Sequence, residues 1–339
     1  MTLRVVLLGY GTGGSIFHAP LITSVPGMVL TAVVTGNPAR QDAVRQRYPG
    51  VAVLPDPAPV FDAPANCDLV VITTPNRTHV PLATRALEAG LPVVIDKPIA
   101  VTSEQARRLA EIGPPVFPYH NRRWDGDFRT LQRLMAEGVL GGIRRFESRF
   151  ERWRPLVKES WKESADPADA GSIVYDLGTH LIDQAVCLFG PPTHVYAELD
   201  TRRAGATAAD DAFLALTHEN GTRSHLWMSA TAADLGPRFR VLGDRASYVT
   251  HGMDVQEEML RAGRTPREPG WGQMPPETYG FLGVPGASRP VRTDPGAWQE
   301  FYVGVVNALE HGGPPPVPIE DAVAGLEIIE AALRSAAGR

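Results

Sequence analysis

Cysteine is scarce in this sequence: Cys67 and Cys187 are the only two among 339 residues. They are far apart and each sits among apolar neighbours, which reads as two buried thiols rather than a disulfide or a metal pair. Long apolar runs are missing too, since none reaches the ~18 residues of a membrane span. The first residues read as a strand and not as a signal peptide, so the expected location is the cytoplasm. Neither sign of charge dominates. The 33 Lys+Arg stand against 38 Asp+Glu, a net charge of −5, which argues against a nucleic-acid partner. His18, His79, His194, His218, His225, His251 and His311 show no metal-ligand spacing, and no metal is expected. No periodic repeat is visible.

What is present describes a globular, soluble protein. Apolar residues make up 43% and charged residues 21% of the chain, and 339 residues suggest two domains. The organising stretch is the first fourteen residues. R-V-V-L-L at 4–8 is a short apolar run, G-Y-G-T-G-G at 9–14 follows at once, and an apolar-periodic segment begins at Ser15. Strand, glycine turn and helix form the context in which G-x-G-x-x-G binds a dinucleotide. Gly9 permits the tight turn, Gly11 lets a pyrophosphate approach the backbone, and Gly14 lets helix and sheet pack closely. Thr12 and Gly13 complete the loop, and the helix N-terminus offers free N–H groups to the phosphates. A purely structural glycine turn is the competing reading.

Strand and helix patterns alternate over the first 120 residues. Helices are expected at 15–25 (bent or shortened by Pro20), 39–48, 79–89 and, capped by Ser103, up to 112. Strands are expected at 28–34, 51–54, 68–72, 93–95 and 116–118. This is a doubly wound parallel sheet, a Rossmann domain over residues 1–120. After a helix at 127–136, a strand at 146–153 and a mostly helical 173–189, strand-like runs follow at 194–199, 212–217, 224–229, 238–242 and 246–250 without helices between them. They suggest a large, mostly antiparallel open sheet. Residues 252–297 read as a long irregular excursion. Helices at 298–309 and 319–333 close a second α/β domain, 121–339, for substrate binding and oligomerisation, the last helix being a candidate to pack back on the first domain.

Several segments carry candidate chemistry. In a Rossmann unit an acidic residue after the second strand holds the ribose 2′-hydroxyl. Here that strand ends V-V-T-G-N-P-A-R, with no Asp or Glu. Thr35 and Asn37 can hydrogen-bond a phosphate and Arg40 can supply charge, which favours NADP over NAD, against a reading of Arg40 as a solvated helix cation. Thr73, Thr74, Pro75 and Asn76 leave a buried strand at its carboxyl end, where ligands of open α/β sheets bind, and are expected cofactor wall. Asp96 and Lys97 leave the next strand in the same way. A lysine there can hydrogen-bond a substrate hydroxyl and favour its ionised form, although strand-end lysines are often surface cations. Asp176 and His180 stand four apart. On one helix face the imidazole could take a proton while the carboxylate orients substrate, and a capping Asp with a core His is the alternative. Tyr119, Asn121 and Arg122, in the mixed polar and aromatic run 119–124, suit a polyol or instead an interdomain hinge.

Taken together, G-Y-G-T-G-G at 9–14, T-T-P-N at 73–76, D-K-P at 96–98 and D-L-G-T-H-L-I-D at 176–183 resemble the Gfo/Idh/MocA oxidoreductases over almost the whole chain. The resemblance implies that Lys97, Asp176 and His180 form the catalytic set, with Asp96 where the family usually has Glu. G-S-I-F-H-A-P-L-I at 14–22 and H-N-R-R-W-D-G-D-F at 120–128 are similar to the NADP-dependent scyllo-inositol dehydrogenases of that family. They imply hydride transfer between a nicotinamide and a cyclic polyol or sugar, with NADP preferred over NAD. Tyr119, Asn121, Arg122 and Trp161 join Asp176 and His180 as substrate contacts, and a homodimer or homotetramer is expected. Reduction of another sugar carbonyl, or a non-catalytic NADP-binding sensor on the same fold, are the alternatives.

Overall fold

The computed structural model describes residues 2–158 and 160–338. Two compact units emerge. The first comprises Met1–Asn121, Gln256–Trp271 and Ala297–Val323, and the second Arg122–Val255, Gly272–Gly296 and Ala324–Arg339.

The first unit is built on six parallel strands: β1 (Leu3–Leu8), β2 (Met28–Val34), β3 (Ala52–Leu54), β4 (Leu69–Ile72), β5 (Val93–Asp96) and β6 (Val116–Tyr119). Their order is β3-β2-β1-β4-β5-β6, so the winding reverses between β1 and β4. The carboxyl ends of these two strands are the topological switch point, where open α/β sheets bind ligands. Every residue of L-V-V-I in β4 is buried, as is V-V-I in β5. Each such side chain contributes about 1.5–3 kcal/mol when withdrawn from water, so continuous apolar runs rather than alternating ones form these strands.

The helices depart from expectation at their ends. The first begins two residues early as a π-helical stretch, Gly13–His18, and continues as α1 (Ala19–Ser24). Pro20 is the second residue of α1, directly after the π-helical stretch, and α1 ends at Ser24. α2 (Pro38–Arg47) is capped by Asn37, whose Oδ1 accepts the Arg40 N–H at 3.1 Å. α3 (Ala58–Asp62) was not anticipated, and α4 spans His79–Glu88. α5 (Ser103–Ala110) is capped by Thr102 and not by Ser103. The Thr102 hydroxyl accepts the Gln105 N–H at 3.2 Å while Gln105 Oε1 accepts from Thr102 and Val101, a reciprocal capping box.

The second unit holds eight strands in the order β14-β13-β12-β11-β7-β10-β9-β8. They are β7 (Ile143–Glu151), β8 (Pro192–Asp200), β9 (Asp211–His218), β10 (Arg223–Ser229), β11 (Phe239–Gly243), β12 (Ser247–Thr250), β13 (Gly280–Val284) and β14 (Ala287–Val291). The β7–β10 pairing is parallel and the others are antiparallel. Helices α6 (Gly126–Ala136) and α7 (Thr179–Phe189) belong to this unit. Phe128 of α6 and Phe189 at the end of α7 pack on Phe239 and Phe146 of the sheet. Fully buried Arg238 ties these layers together, donating to Ser148 Oγ at 2.6 Å and Gln184 Oε1 at 2.7 Å while facing Asp127 at 3.6 Å.

Two expectations need correction. Residues 252–297 are not irregular throughout: they contain α8 (Gln256–Arg261) and the β13–β14 hairpin, turned at Pro285-Gly286. Gly286 adopts φ +80°, the conformation that follows proline in a type II turn. And Cys187, expected to be buried, is exposed on α7, whereas Cys67 is buried. The chain ends with α9 (Gln299–His311) and α10 (Ile319–Ala337). Among the described residues no helix is long and apolar enough to cross a membrane.

Candidate active site

Beyond β1 the glycine loop makes a closely fitted cradle. Gly9 has φ +98°, and a Cβ on it would stand 3.0 Å from Thr73 Oγ1. A Cβ on Gly14 would collide with the Gly9 carbonyl oxygen and lie 2.9 Å from Thr73 Oγ1. Thr73 is the reason these elements are so close. Its hydroxyl reaches the Leu8 and Gly9 carbonyls at 3.2 and 3.0 Å, stitching the ends of β1 and β4. Gly11 is different: a Cβ there would meet only the Arg40 guanidinium, 3.9 Å away. The backbone at Gly11 is therefore open where a diphosphate would need to approach. Thr12 is exposed beside it, and Gly13 places its α-carbon near the Asp96 carboxylate, 3.0 Å from where a Cβ would sit.

At the end of β2, Thr35 is buried and its hydroxyl accepts the Asn37 N–H at 3.4 Å. Asn37 uses its Oδ1 to cap α2, and exposed Arg40 is the charged group beside Gly11. After β4, the Thr78 hydroxyl donates to Thr74 Oγ1 at 2.7 Å, Pro75 precedes a short 3₁₀ turn, and Asn76 is buried within it. After β5, Asp96 Oδ1 accepts the Lys97 backbone N–H at 2.8 Å, and half-buried Lys97 precedes a cis peptide to Pro98.

Behind Asp96 lies a group of side chains of which sequence reasoning had assigned a role only to Tyr119. His18 is fully buried, its Nδ1 2.6 Å from the Tyr302 hydroxyl and its Nε2 4.0 Å from Asp96 Oδ2. Burial lowers its pKa to about 4, although Asp96 pulls the other way. Tyr119, expected as a substrate contact, is tilted against His18 with ring centres 4.0 Å apart, meets Phe301 edge-on and is 2% exposed. A helix near the far end of the chain supplies Phe301 and Tyr302, which is why spacing in the sequence could not reveal them.

In the second unit, Asp176 lies in a π-helical stretch, Val174–Gly178, and His180 in the first turn of α7. The interval of four thus crosses a change of helix type and is not a single α-helical face as expected. The stretch sits close to β10, since a Cβ on Gly178 would be 2.9 Å from Met228 Sδ. Asp176 accepts Lys162 Nζ at 2.9 Å and faces Arg152 at 3.7 Å. Lys162 follows Trp161 on a 3₁₀ turn, and half-buried Trp161 has the Lys162 ammonium 5.5 Å from its ring centre. The Phe150 ring on β7 is the hub. The guanidiniums of Arg122 and Arg152 each stand 4.6 Å from its centre and the His180 ring 6.3 Å away. Arg122 is buried and ion-paired with Asp125 at 3.1 Å; Asn121, the residue before it, is buried in the first unit. A cavity of about 210 Å³ opens beside Asp176, lined by Arg152, Arg154, Lys162, Arg203 and Asp210 among others. Sequence reasoning missed Arg152 and Lys162. R-W-R at 152–154 and W-K-E at 161–163 were the available signals, but nothing local couples them to Asp176.

Two family models cover this chain. Residues 3–113 match the oxidoreductase family's NAD-binding Rossmann fold, and residues 132–339 match the same family's C-terminal alpha/beta domain. The chain is a member of the Gfo/Idh/MocA oxidoreductase family. The uncharacterised oxidoreductase YdgJ of Escherichia coli is 41% identical over 99% of this chain and 97% of its own length. The scyllo-inositol 2-dehydrogenase (NADP(+)) IolW of Bacillus subtilis is 34% identical over 98% of this chain and 94% of its own. Among solved structures, the oxidoreductase yvaA of Bacillus subtilis superposes with a TM-score of 0.93 at 32% identity, covering 100% of this chain and 97% of that one. Membership makes this Gfo/Idh/MocA protein an NAD(P)-dependent oxidoreductase whose cofactor-binding unit is the Rossmann sheet. The open backbone at Gly11, the closed one at Gly14 and the helix start at Gly13 fit the diphosphate of a dinucleotide.

Proposed function

We propose that this enzyme moves a hydride between NADP and a ring hydroxyl or ketone of a cyclic polyol or sugar, with scyllo-inositol as the model substrate. The observation that carries this reading is the set Lys97, Asp176 and His180: an ammonium at a strand's carboxyl end in one unit, and a carboxylate and an imidazole four residues apart in the other. A sensor would have no need of all three. The relative IolW, an NADP-dependent scyllo-inositol 2-dehydrogenase, supports the substrate class.

In this reading Lys97 hydrogen-bonds the reacting oxygen and favours its ionised form, and His180 Nε2 or Nδ1 takes the hydroxyl proton. Asp176, held between Lys162 and Arg152, accepts hydrogen bonds from neighbouring substrate hydroxyls and fixes the ring. Asn121, Arg122 and Trp161 are the further substrate contacts. When bound, the nicotinamide supplies the hydride acceptor or donor. Thr35, Asn37 and Arg40 take the place of a ribose-binding carboxylate, and the Arg40 guanidinium beside Gly11 supports the choice of NADP.

The test begins with fluorescence titration of NADPH and NADH, followed by turnover on a polyol panel headed by scyllo-inositol. NADPH is expected to bind more tightly, and Arg40→Ala to weaken NADPH while sparing NADH. Lys97→Ala is expected to lose about 10²–10⁴-fold in turnover and keep its NADPH affinity. Undiminished turnover in Lys97→Ala, on whichever polyol the wild type oxidises best, would sink the assignment.

A further inference from the structure

One side chain joins the two loops that border the proposed chemistry in the Rossmann unit. His79, the first residue of α4, is 1% exposed. Its Nδ1 lies 2.8 Å from the Pro98 carbonyl oxygen and its Nε2 2.8 Å from the Thr74 carbonyl oxygen. One carbonyl belongs to the loop after β5, immediately beyond Lys97, and the other to the loop after β4. Both oxygens can only accept. A neutral imidazole donates from one nitrogen and so holds one of the two carbonyls at a time, whereas the imidazolium donates to both. The surroundings pull both ways: burial and Lys97 disfavour the proton, while the two carbonyls and Asp96 favour it. His18 is the other titratable ring that senses His79.

We infer that His79 is a positioning residue for Lys97, a brace that fixes the residue after the lysine to the cofactor-side loop at Thr74. The inference rests on Lys97 being the group that polarises the reacting oxygen. The chain between Asp96 and Pro98 is held on its near side by the Asp96 side chain, which accepts the Lys97 N–H at 2.8 Å. On its far side the His79 ring holds Pro98. Lys97 is therefore pinned from both directions, while its long side chain stays half-buried. Pinning matters because a displacement of about 1 Å at a reacting group can lower the rate about 10²-fold. A core histidine present only for packing would have no need to point both nitrogens at carbonyls on two separate loops.

The brace is tested with His79→Phe, which removes both hydrogen bonds, and His79→Gln, which keeps one donor nitrogen, in the full-length protein. Amide hydrogen exchange is read first, without cofactor. In either variant the amides at 97 and 99–101 are expected to exchange at least about tenfold faster, while those of β4 and β5 stay protected. NADPH affinity should change by less than about threefold, and turnover of scyllo-inositol with NADP should fall about 10–100-fold in kcat with little change in KM. The decisive comparison is with Lys97→Ala. Added to that background, the His79 substitution should remove nothing further, because it acts through the lysine. Unchanged exchange at 97–101 would overturn the inference, as would a full, additive loss of turnover in the Lys97→Ala background. If Lys97→Ala alone turns over normally, the catalytic reading fails instead, and the exchange data still report whether His79 braces the loop. Should His79→Phe not fold, His79→Gln carries the same comparisons.

Discussion

A single methyl group separates two different roles within the glycine loop. At Gly14 a side chain would have to displace the Gly9 carbonyl and the Thr73 hydroxyl that stitches β1 to β4. Gly14 lies in the π-helical stretch and is not among the positive-φ glycines, so the objection is lack of space and not torsional strain. At Gly11 a methyl group meets nothing closer than the Arg40 guanidinium at 3.9 Å. Gly14→Ala is therefore expected to destabilise the fold by about 1–3 kcal/mol, whereas Gly11→Ala should melt with the wild type and yet bind NADPH at least about tenfold more weakly. Thermal unfolding beside a fluorescence titration separates the two, and wild-type NADPH affinity in Gly11→Ala would mean that the diphosphate lies elsewhere.

Secondary structure was most readable where one residue type decided the outcome. The buried runs in β4 and β5 have no polar residue to place, so their limits fell within a residue of expectation. Helix starts were less readable, because Thr102 and Ser103 are both good caps and only backbone geometry chooses. Thr102 is extended, at φ −128°, and Ser103 is helical. Thr102→Ala is expected to lose about 1 kcal/mol in urea unfolding and Ser103→Ala much less; equal losses would reassign the cap. The β13–β14 hairpin was hidden by its own signal, since Pro285-Gly286 read as loop and not as the two-residue turn between strands. The segments at 9–14, 73–76 and 96–98 could be placed because each leaves a strand, and 176–180 because it runs into a helix. What surrounds them could not. Lys162 and Arg152 reach Asp176 from 14 and 24 residues upstream, His79 reaches across two loops, and Tyr302 reaches His18 across 284 residues of sequence. Contacts of that span leave no periodicity behind.

At the scale of the whole molecule the buried histidines set the response to acid. Burial lowers the pKa of His18 to about 4, and those of His79 and His218 in the same direction. The unfolded chain takes up protons near pH 6.5 that the folded core refuses, so stability is complete above that pH and falls as pH drops toward 4. For His18 alone the loss is on the order of 3 kcal/mol. Asp127 opposes it, because burial outweighs Arg238 and raises its pKa, so its contribution is retained in acid and lost as pH rises. Calorimetry at pH 7, 6 and 5 should show a falling Tm, steeper in Asp127→Asn, and a Tm that is flat or rises toward pH 5 would contradict this. The partnership between His18 and Tyr302 also has a consequence in time. A ribosome adding about 5–20 residues per second needs roughly a quarter of a minute to a minute to travel from one to the other. Throughout that interval the strands of the first sheet and Tyr119 have been made, but the Tyr302 hydroxyl that meets His18 Nδ1 has not. The imidazole therefore waits for a partner that arrives only with α9, near the end of synthesis.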